Sequence, residues 1–515
     1  METFNLIDEP WIPVILTDGT PARVSLRGLF APTVREIACP VPSQTMAVIR
    51  LATAIAQRAL PSRGSTAADA AELRGMLAAD GPDPRIGEYL DRWHDRFDLM
   101  DPVRPFMQSP ALPESATLVP LVSDIERNTA LAARSADFTL SPADAALWLV
   151  RCQAFDGAAN RATIPGDTRM KGGVCYTNGT GWAGSLGCLA VIGDTVWRTA
   201  LLNHVPAPWD RSVDWSRDSA VWERDIPTFG DPEFDGGKGK ANDPHGPAAL
   251  LTWRSRSVRI TWRGGRAVGA VVTAGDRINA QDASAYEPMS GWHESDAKKG
   301  SLVSTKLSKG ATQLWRGLAG LLLASDKEGA LRPMNVRWLE RARLKPMPLR
   351  YLYTAIDWGP QSQNPAGETA DMLTASLDLS GSRTAGRRYA DRLALLDRGV
   401  WTLTALDSDL RAAEGRSAPP KPVPGKQTAL ESDLWTLLDR PTRAWLAGAD
   451  PMGSLDRWAD ECLRSLDRRA DLMGAAAPSR AWSGRMTADG KALGAAAAVA
   501  RCHARIAKLR KGLAS

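Results

Sequence analysis

The segment MKGGVCYTNGTGWAG, residues 170–184, contains five glycines and one lysine. Its end, GTGWAG, matches the G-x-G-x-x-G fingerprint with which dinucleotide-binding folds place a helix N-terminus against a pyrophosphate. That fold needs a strand before the fingerprint and a helix after it. Here the following residues, 185–194 (SLGCLAVIGD), have the pattern of a strand that ends in a turn. The sequence therefore predicts short strands and turns in this segment, without the helix that a dinucleotide site needs. The alternative function is a nucleotide-binding enzyme that uses the 170–184 loop.

Length and composition indicate a multidomain globular protein. At about 150 residues per domain, the 515 residues correspond to roughly two to four domains. No run of about 20 apolar residues offers a membrane span, and the start METFNLIDEPWIPV lacks the basic and apolar regions of a secretory signal. We therefore expect a cytoplasmic protein with no membrane association. The net charge of +6 weakly favours a polyanionic partner.

The cysteines and histidines form no recognisable site. Six cysteines and five histidines are scattered along the chain without a Cys-x-x-Cys pair or an H-E-x-x-H spacing. The basic segment 236–239 (GGKG) lacks the first glycine and the Ser or Thr of a Walker A loop. The sequence thus predicts no metal, no cofactor and no nuclease, ATPase or redox activity.

The secondary-structure pattern of the sequence changes near residue 380. Before it, helical patterns at 46–60 and 141–155 alternate with strand-like runs, including a hairpin signal around Gly264-Gly265. After it come four amphipathic patterns, at roughly 387–413, 429–447, 452–473 and 487–511. We predict an α+β protein: a large mixed α/β N-terminal domain, residues 1–379, followed by an all-α C-terminal four-helix bundle, residues 380–515.

Several short motifs occur in an order that resembles one family. They are LIDEPWIPV (6–14), RPFMQ (104–108), MKGG (170–173) with GTGW (179–182), LLN (201–203), LWRGL (314–318) and GPQSQ (359–363). Together with the length and the closing bundle, they resemble the large subunit of type I-E CRISPR Cascade, the CasA family, over nearly the whole chain. Each motif is weak alone, and their shared order carries the resemblance.

The resemblance implies a non-catalytic subunit of an RNA-guided surveillance complex. Its N-terminal domain would recognise the protospacer-adjacent motif (PAM) of double-stranded target DNA through the minor groove. It would then open the duplex, so that CRISPR RNA pairs with one strand and an R-loop forms. Implied protein partners are the backbone, 5′-handle-capping and small subunits, the last lying against the bundle, and a recruited helicase-nuclease.

The resemblance also assigns residues to three DNA-binding elements. The PAM loop maps onto Lys171, Gly172 and Gly173, because a backbone without Cβ atoms approaches groove edges closely. The basic finger maps onto Arg277 or Asn279, and the wedge beside the motif maps onto Gln361 and Gln363. The family's finger lysine and the Cys-x-x-Cys cluster of some members are absent here, so we expect a different preferred motif and no zinc.

A further basic group lies on the predicted hairpin. Arg254, Arg256 and Arg259 are predicted to contact phosphates or guide RNA. The alternative is that they are solvated charges on an edge strand.

Overall fold

The protein is described from a computed structural model that divides into two compact units. The first comprises Met1–Lys306, Glu328–Lys345 and Arg350–Met372, and the second comprises Leu307–Lys327, Pro346–Leu349 and Leu373–Ser515. The residues described are 3–112, 139–158, 160–161, 175–176, 179–208, 213–226, 244–280, 283–308, 310–325, 327–344, 348–363, 365–376, 383–417, 427–486, 490 and 492–513.

The first part of the chain mixes short strands with helices, as predicted. Its helices are α1 Leu26–Leu29, α2 Pro42–Ala59, α3 Thr66–Ala78, α4 Pro84–Arg92, α5 Pro142–Phe155, α6 Val196–Asn203, α7 Pro247–Leu251 and α8 Met334–Arg341. Its strands are β1 Ile12–Leu16, β2 Pro21–Val24, β3 Val34–Ile37, β4 Asn160–Arg161, β5 Cys175–Tyr176, β6 Gly187–Ile192, β7 Arg256–Arg263, β8 Arg266–Ala274, β9 Trp292–Ser295, β10 Lys298–Ser304, β11 Pro348–Trp358 and β12 Pro365–Ser376.

Helices α2 and α5 form the centre of this region and pack against each other. Each begins with a proline in its first turn, and the Ser141 side chain accepts a hydrogen bond from the Asp144 amide at the start of α5. Both predicted helices are confirmed, and α2 begins four residues earlier than the apolar pattern suggested. Helix α2 also packs against α4, α6 and α7, which explains why nearly all of its residues are buried, polar ones included.

The strands form several small sheets. Strand β11 lies between β12 and β6, and it pairs antiparallel with β6 from Arg350–Ile192 to Ala355–Gly187. Strands β7 and β8 form the predicted hairpin, with Gly264 and Gly265 at φ of +54° and +69° in its turn. A two-residue turn with both central residues at positive φ favours glycine.

The C-terminal region is helical, as predicted. It contains α9 Arg383–Glu414, α10 Ala429–Leu446, α11 Leu455–Ala475, α12 Ser479–Ser483 and α13 Ala495–Lys511, with the short strands β13 Arg485–Met486 and β14 Ala492–Leu493. Helices α9, α10, α11 and α13 correspond to the four predicted patterns. The last begins at 495 rather than near 487, because β13 and β14 pair with each other in front of it.

The second unit extends beyond the predicted boundary at residue 380. Its segment Leu307–Lys327 was assigned from the sequence to the N-terminal domain. In the structure Trp315 donates from Nε1 to Asp439 at 2.7 Å, and its ring centroid lies 5.7 Å from that of Trp435. An indole with a paired N–H and an aromatic neighbour is a strong packing anchor, so this segment belongs with the helices.

Candidate nucleic-acid interface

The glycines in the second half of the glycine-rich segment allow close packing of the backbone. A Cβ atom on Gly181 would lie 2.6 Å from the carbonyl carbon of Ala154, and one on Gly184 would lie 3.1 Å from the Trp358 ring. The chain then forms a short 3-10 turn, Trp182–Ser185, and enters β6. As predicted, the helix that would hold a pyrophosphate does not follow the fingerprint. These glycines let the backbone lie directly on the end of α5.

Substituting Gly181 by Ala should therefore destabilise the fold. The added methyl group has no room against the backbone of α5, and overpacking of this kind costs about 1–3 kcal/mol. We expect a lower urea midpoint for Gly181→Ala. Gly87→Ala is the matched control, because Gly87 lies inside α4 with open space around its Cα. A Gly181→Ala midpoint equal to that of the control would contradict the packing role.

The guanidinium group of Arg256 fixes the segment to α5. It is 1% exposed, pairs with Asp156 through Nε at 2.6 Å, and donates from Nη2 to the carbonyls of Gly157 and Gly179 at 2.9 Å each. One buried side chain thus joins the residues that follow α5 to the glycine-rich segment.

The predicted role of two of the three hairpin arginines, Arg254 and Arg256, needs correction, and that of Arg259 stays a prediction. Arg254 is 2% exposed and its Nη2 lies 2.5 Å from Asp276 Oδ1, so both it and Arg256 are buried and ion-paired. Arg259 donates from Nη1 to the carbonyls of Pro110 and Leu112 at 2.8 and 2.7 Å. Phosphate or guide contacts by Arg254 and Arg256 are wrong, because neither guanidinium is presented to a ligand. The alternative of solvated edge charges is wrong for the same reason.

Another buried ion pair, which sequence reasoning missed, holds Trp182. Arg50 and Glu287 are 1% and 0% exposed, with Arg50 Nη1 2.8 Å from Glu287 Oε1. Glu287 also accepts from Trp182 Nε1 at 2.7 Å and from the Met289 amide at 3.0 Å. Burial alone would lower the pKa of Arg50, but the Glu287 carboxylate raises it above its usual value. The available signal was an arginine inside the apolar run MAVIRLATAI.

The predicted wedge residues lie at the tip between β11 and β12. Gln361 and Ser362 have φ of +57° and +54°, and Gln361 is exposed. The Gln363 amide donates from Nε2 to Gln361 Oε1 at 2.9 Å. A left-handed conformation costs about 1–2 kcal/mol for a residue other than glycine, and such strain persists only when neighbouring structure maintains it.

Besides the pairing of β11 with β6, hydrogen bonds at Ser362, Trp358 and Glu368 connect this tip and its strands to the rest of the unit. The Ser362 carbonyl accepts from the Ala158 amide at 2.8 Å, and Trp358 donates from Nε1 to the Gly184 carbonyl at 2.7 Å. On the return strand, Glu368 Oε1 accepts from the Ser43 amide in the first turn of α2 at 2.5 Å. The N-cap residue of α2 supplies no side-chain cap, so Glu368 provides that acceptor.

The PAM-loop residues Lys171, Gly172 and Gly173 lie outside the described residues, but the chain beside them is placed. Strand β5, which begins two residues after Gly173, pairs with β4, and β4 begins two residues after Ala158. Two peptide units span at most about 8 Å between Cα atoms. In the sequence, residues 162–174, which include the predicted PAM loop, join β4 to β5, and β4 follows Ala158, whose amide bonds to the Ser362 carbonyl.

The predicted finger residues follow β8. Arg277 is exposed and Asn279 is half-buried. The preceding residues are fixed, since the Gly275 and Asp276 amides donate to the Ser255 and Arg254 carbonyls at 3.1 and 2.8 Å. The Arg254–Asp276 ion pair therefore supports the base of the predicted finger.

Comparison with known proteins identifies the family. The sequence profile of CRISPR-associated protein Cse1 matches residues 5–472. The chain belongs to the Cse1 family. A curated relative, CRISPR-associated protein CasA/Cse1 from Thermus thermophilus, is 29% identical over 339 residues, which are 62% of this chain and 61% of that protein. The match thus spans about three fifths of the curated relative. The resemblance to the type I-E Cascade large subunit is confirmed.

Solved Cse1 structures share the fold over the whole chain. The crystal structure of Thermobifida fusca Cse1 is 27% identical with a TM-score of 0.81, covering 99% of this chain and 98% of that one. Cse1 from Acidimicrobium ferrooxidans is 24% identical with a TM-score of 0.77 and full coverage of both chains. A chain of a CRISPR RNA-guided surveillance complex is 17% identical with a TM-score of 0.65, covering 98% and 100%. The last two comparisons concern the fold alone.

The described residues of this Cse1 chain lack two features. Across those residues no group of three or more His, Cys, Asp or Glu side chains is arranged to hold a metal ion. Within the same part of the chain, no helix combines the length and apolar character needed to cross a membrane.

Proposed function

We propose that this Cse1 chain recognises a PAM in double-stranded DNA and opens the adjacent base pairs, as the non-catalytic large subunit of a type I-E surveillance complex. The strained Gln361-Ser362 tip carries the proposal. It is exposed at the end of two strands and held by a backbone hydrogen bond to Ala158. Strain maintained at an exposed tip favours a functional explanation over an incidental turn.

The wedge would act by replacing base-pair contacts. A glutamine amide both donates and accepts hydrogen bonds, so Gln361 and Gln363 can satisfy base edges that have lost their partners. One step of DNA stacking is worth about 1.4 kcal/mol on average. A fixed tip can offset a cost of that size without first being ordered, because the hydrogen bonds at Trp358, Ser362 and Glu368 already hold it.

The PAM loop and finger would act before the wedge. Gly172 and Gly173 have no side chain to keep the backbone away from minor-groove acceptors, and Lys171 adds a cation where the groove is negative. Arg277 is exposed on a supported base, so it can reach a groove edge or phosphate. The loop's connection through β5 and β4 toward Ala158 favours one continuous surface with the wedge.

Partners follow from the family and the related structures. A similar chain forms part of a CRISPR RNA-guided surveillance complex. We therefore propose that this chain joins CRISPR RNA and the backbone, 5′-handle-capping and small subunits, with its helical region against the small subunits. A separate helicase-nuclease would be recruited after the R-loop forms.

The proposal is tested with the assembled complex and duplexes that carry a randomised motif. Replacing Gly172 or Gly173 by Leu should lower affinity for the preferred motif about tenfold or more, since one base contact is worth about 1–3 kcal/mol. Binding to motif-free DNA should change little, because it is mainly electrostatic.

Gly81→Leu is the control, because Gly81 has open space around its Cα at a turn between α3 and α4. Equal motif preference in the glycine variants and the control would contradict the PAM-loop assignment. Unfolding of Gly172→Leu and Gly173→Leu alone would show that the loop is a buried turn.

A further inference from the structure

Outside the wedge region, a groove of about 260 Å³ collects three arginines. It lies in the first unit between residues 96–110 and 222–226, and Arg96, Arg104 and Arg224 line it. A cavity of this size approaches the lower end of small-ligand sites. None of the three arginines belongs to the PAM loop, finger or wedge.

The charges in this groove are incompletely neutralised. Arg96 pairs with Asp225 at 2.9 Å, but that carboxylate is 85% exposed. Arg104 lies 3.8 Å from Asp95, and both side chains are more than half exposed. The Arg96 side chain is 16% exposed, whereas an exposed pair such as Arg104–Asp95 contributes about 1 kcal/mol or less, so an incoming anion can replace Asp95.

Arg224 is the strongest candidate for binding an anion. Its backbone amide donates to the Val221 carbonyl at 3.4 Å, but within the part of the chain that the structure describes its guanidinium group makes no hydrogen bond or ion pair. Two nearby carboxylates are engaged elsewhere: Glu223 accepts from Arg58 and Tyr89, and Asp218 accepts from the Ala248 and Ala249 amides. The Asp276 carboxylate is paired with Arg254.

One wall of the groove is apolar and its floor is held in place. Val103 is 68% exposed at its edge, and Pro105 and Met107 continue the wall. The backbone at Met107 has φ of +52°, and its carbonyl accepts from Gln153 Nε2 at 3.0 Å. Gln108 is buried and bonds to the Leu99 carbonyl and the Ile260 amide at 2.9 Å each. The binding surface is therefore formed before a ligand arrives.

We propose that this groove binds the phosphodiester backbone of a single-stranded nucleic acid. Guanidinium groups match phosphate oxygens in a two-pronged geometry, and sites for single strands combine cationic grooves with apolar surfaces for bases. A concave site near the size of one nucleotide fits a single strand better than the convex backbone of a duplex. The inference rests on the proposed function, since an RNA-guided complex presents two such strands, the guide RNA and the displaced DNA.

The test uses the full chain and two fluorescein-labelled 12-nucleotide probes of one sequence, one RNA and one DNA. Arg224→Ala should weaken binding about threefold or more, and each lost phosphate contact should reduce the salt slope by about 0.7. Arg104→Ala/Arg224→Ala should reduce both further. Arg263→Ala is the control, since Arg263 is exposed at the β7–β8 turn and does not line the groove.

The two probes distinguish the source of the strand. A loss confined to RNA supports guide binding, a loss confined to DNA supports the displaced strand, and a loss on both supports backbone recognition alone. Equal affinities and salt slopes for the wild type, Arg224→Ala and Arg263→Ala would overturn the proposal, as would failure of the wild type to bind either probe.

Motif preference of the assembled complex, measured on the same variants, should stay unchanged. That measurement separates this inference from the PAM assignment. A loss of motif preference in Arg224→Ala, with no change in single-strand binding, would overturn the groove inference while leaving PAM recognition intact.

Discussion

Replacing Glu287 by Ala is expected to lower the free energy of unfolding by about 3–5 kcal/mol, because it leaves a buried charge without its partner. Arg50 would keep one hydrogen bond, to the Leu250 carbonyl at 3.1 Å, but lose its carboxylate. Trp182 would lose the acceptor for its indole N–H at the same time. The loss should appear as a lower midpoint in urea, followed by tryptophan fluorescence.

The expected destabilisation comes mainly from leaving the charge of Arg50 buried and unpaired. A large net stabilisation by the ion pair is not needed to explain it. Replacing both partners by apolar residues, as in Arg50→Met/Glu287→Leu, should recover much of the stability, because desolvating an ion pair is itself costly. Asp91→Ala breaks an exposed pair with Arg27 and should cost about 1 kcal/mol or less. A similar small cost for Glu287→Ala would contradict the buried role.

The elements that sequence reasoning predicted well are those determined by neighbouring residues. Ser141 and Pro142 begin α5 because a cap and a fixed φ act within one turn. Gly264 and Gly265 determine the β7–β8 turn for the same local reason. The C-terminal helices follow from an apolar periodicity that needs no knowledge of distant residues.

The elements that it missed depend on contacts between residues far apart in the chain. Arg254 and Arg256 were expected to face a polyanion, but their burial follows from Asp276 and from Asp156, the latter 100 residues before Arg256. Arg50 finds Glu287 across 237 residues. A buried arginine and an exposed arginine have the same local pattern, so only the fold decides between them.

The tip between β11 and β12 depends both on a local sequence motif and on contacts with residues far away in the chain. Its position follows from the resemblance of the GPQSQ motif. The Gly, Pro, Ser and Asn residues in 359–365 predict a turn, but they do not predict that Gln361 and Ser362 take a positive φ. The capping of α2 by Glu368 was equally unpredictable across 325 residues. The structure thus shows how the tip is held, whereas the GPQSQ motif indicated only where it lies in the chain.

Changing Gln361 and Gln363 to Ala in the assembled complex should slow R-loop formation about tenfold, the factor that corresponds to one stacking step of about 1.4 kcal/mol. Initial binding to the motif should persist, because in the proposed function the wedge acts after the PAM loop has docked. Stopped-flow fluorescence of a base analogue beside the motif measures opening, and equilibrium binding to a duplex with cross-linked strands measures docking without opening.

Two further variants distinguish the effect of the Gln361 amide on opening from the effect of the contacts that hold the tip. Gln361→Gly removes the amide but relieves the positive φ, so it should preserve or raise stability while still slowing opening. Glu368→Ala removes the acceptor at the start of α2 and should slow opening through the position of the tip. If Glu368→Ala acts in this way, its effect should largely disappear when Gln361 and Gln363 are already Ala, since coupled residues are not additive. Normal opening in the double glutamine variant would show that the tip is a strained turn without a wedge role.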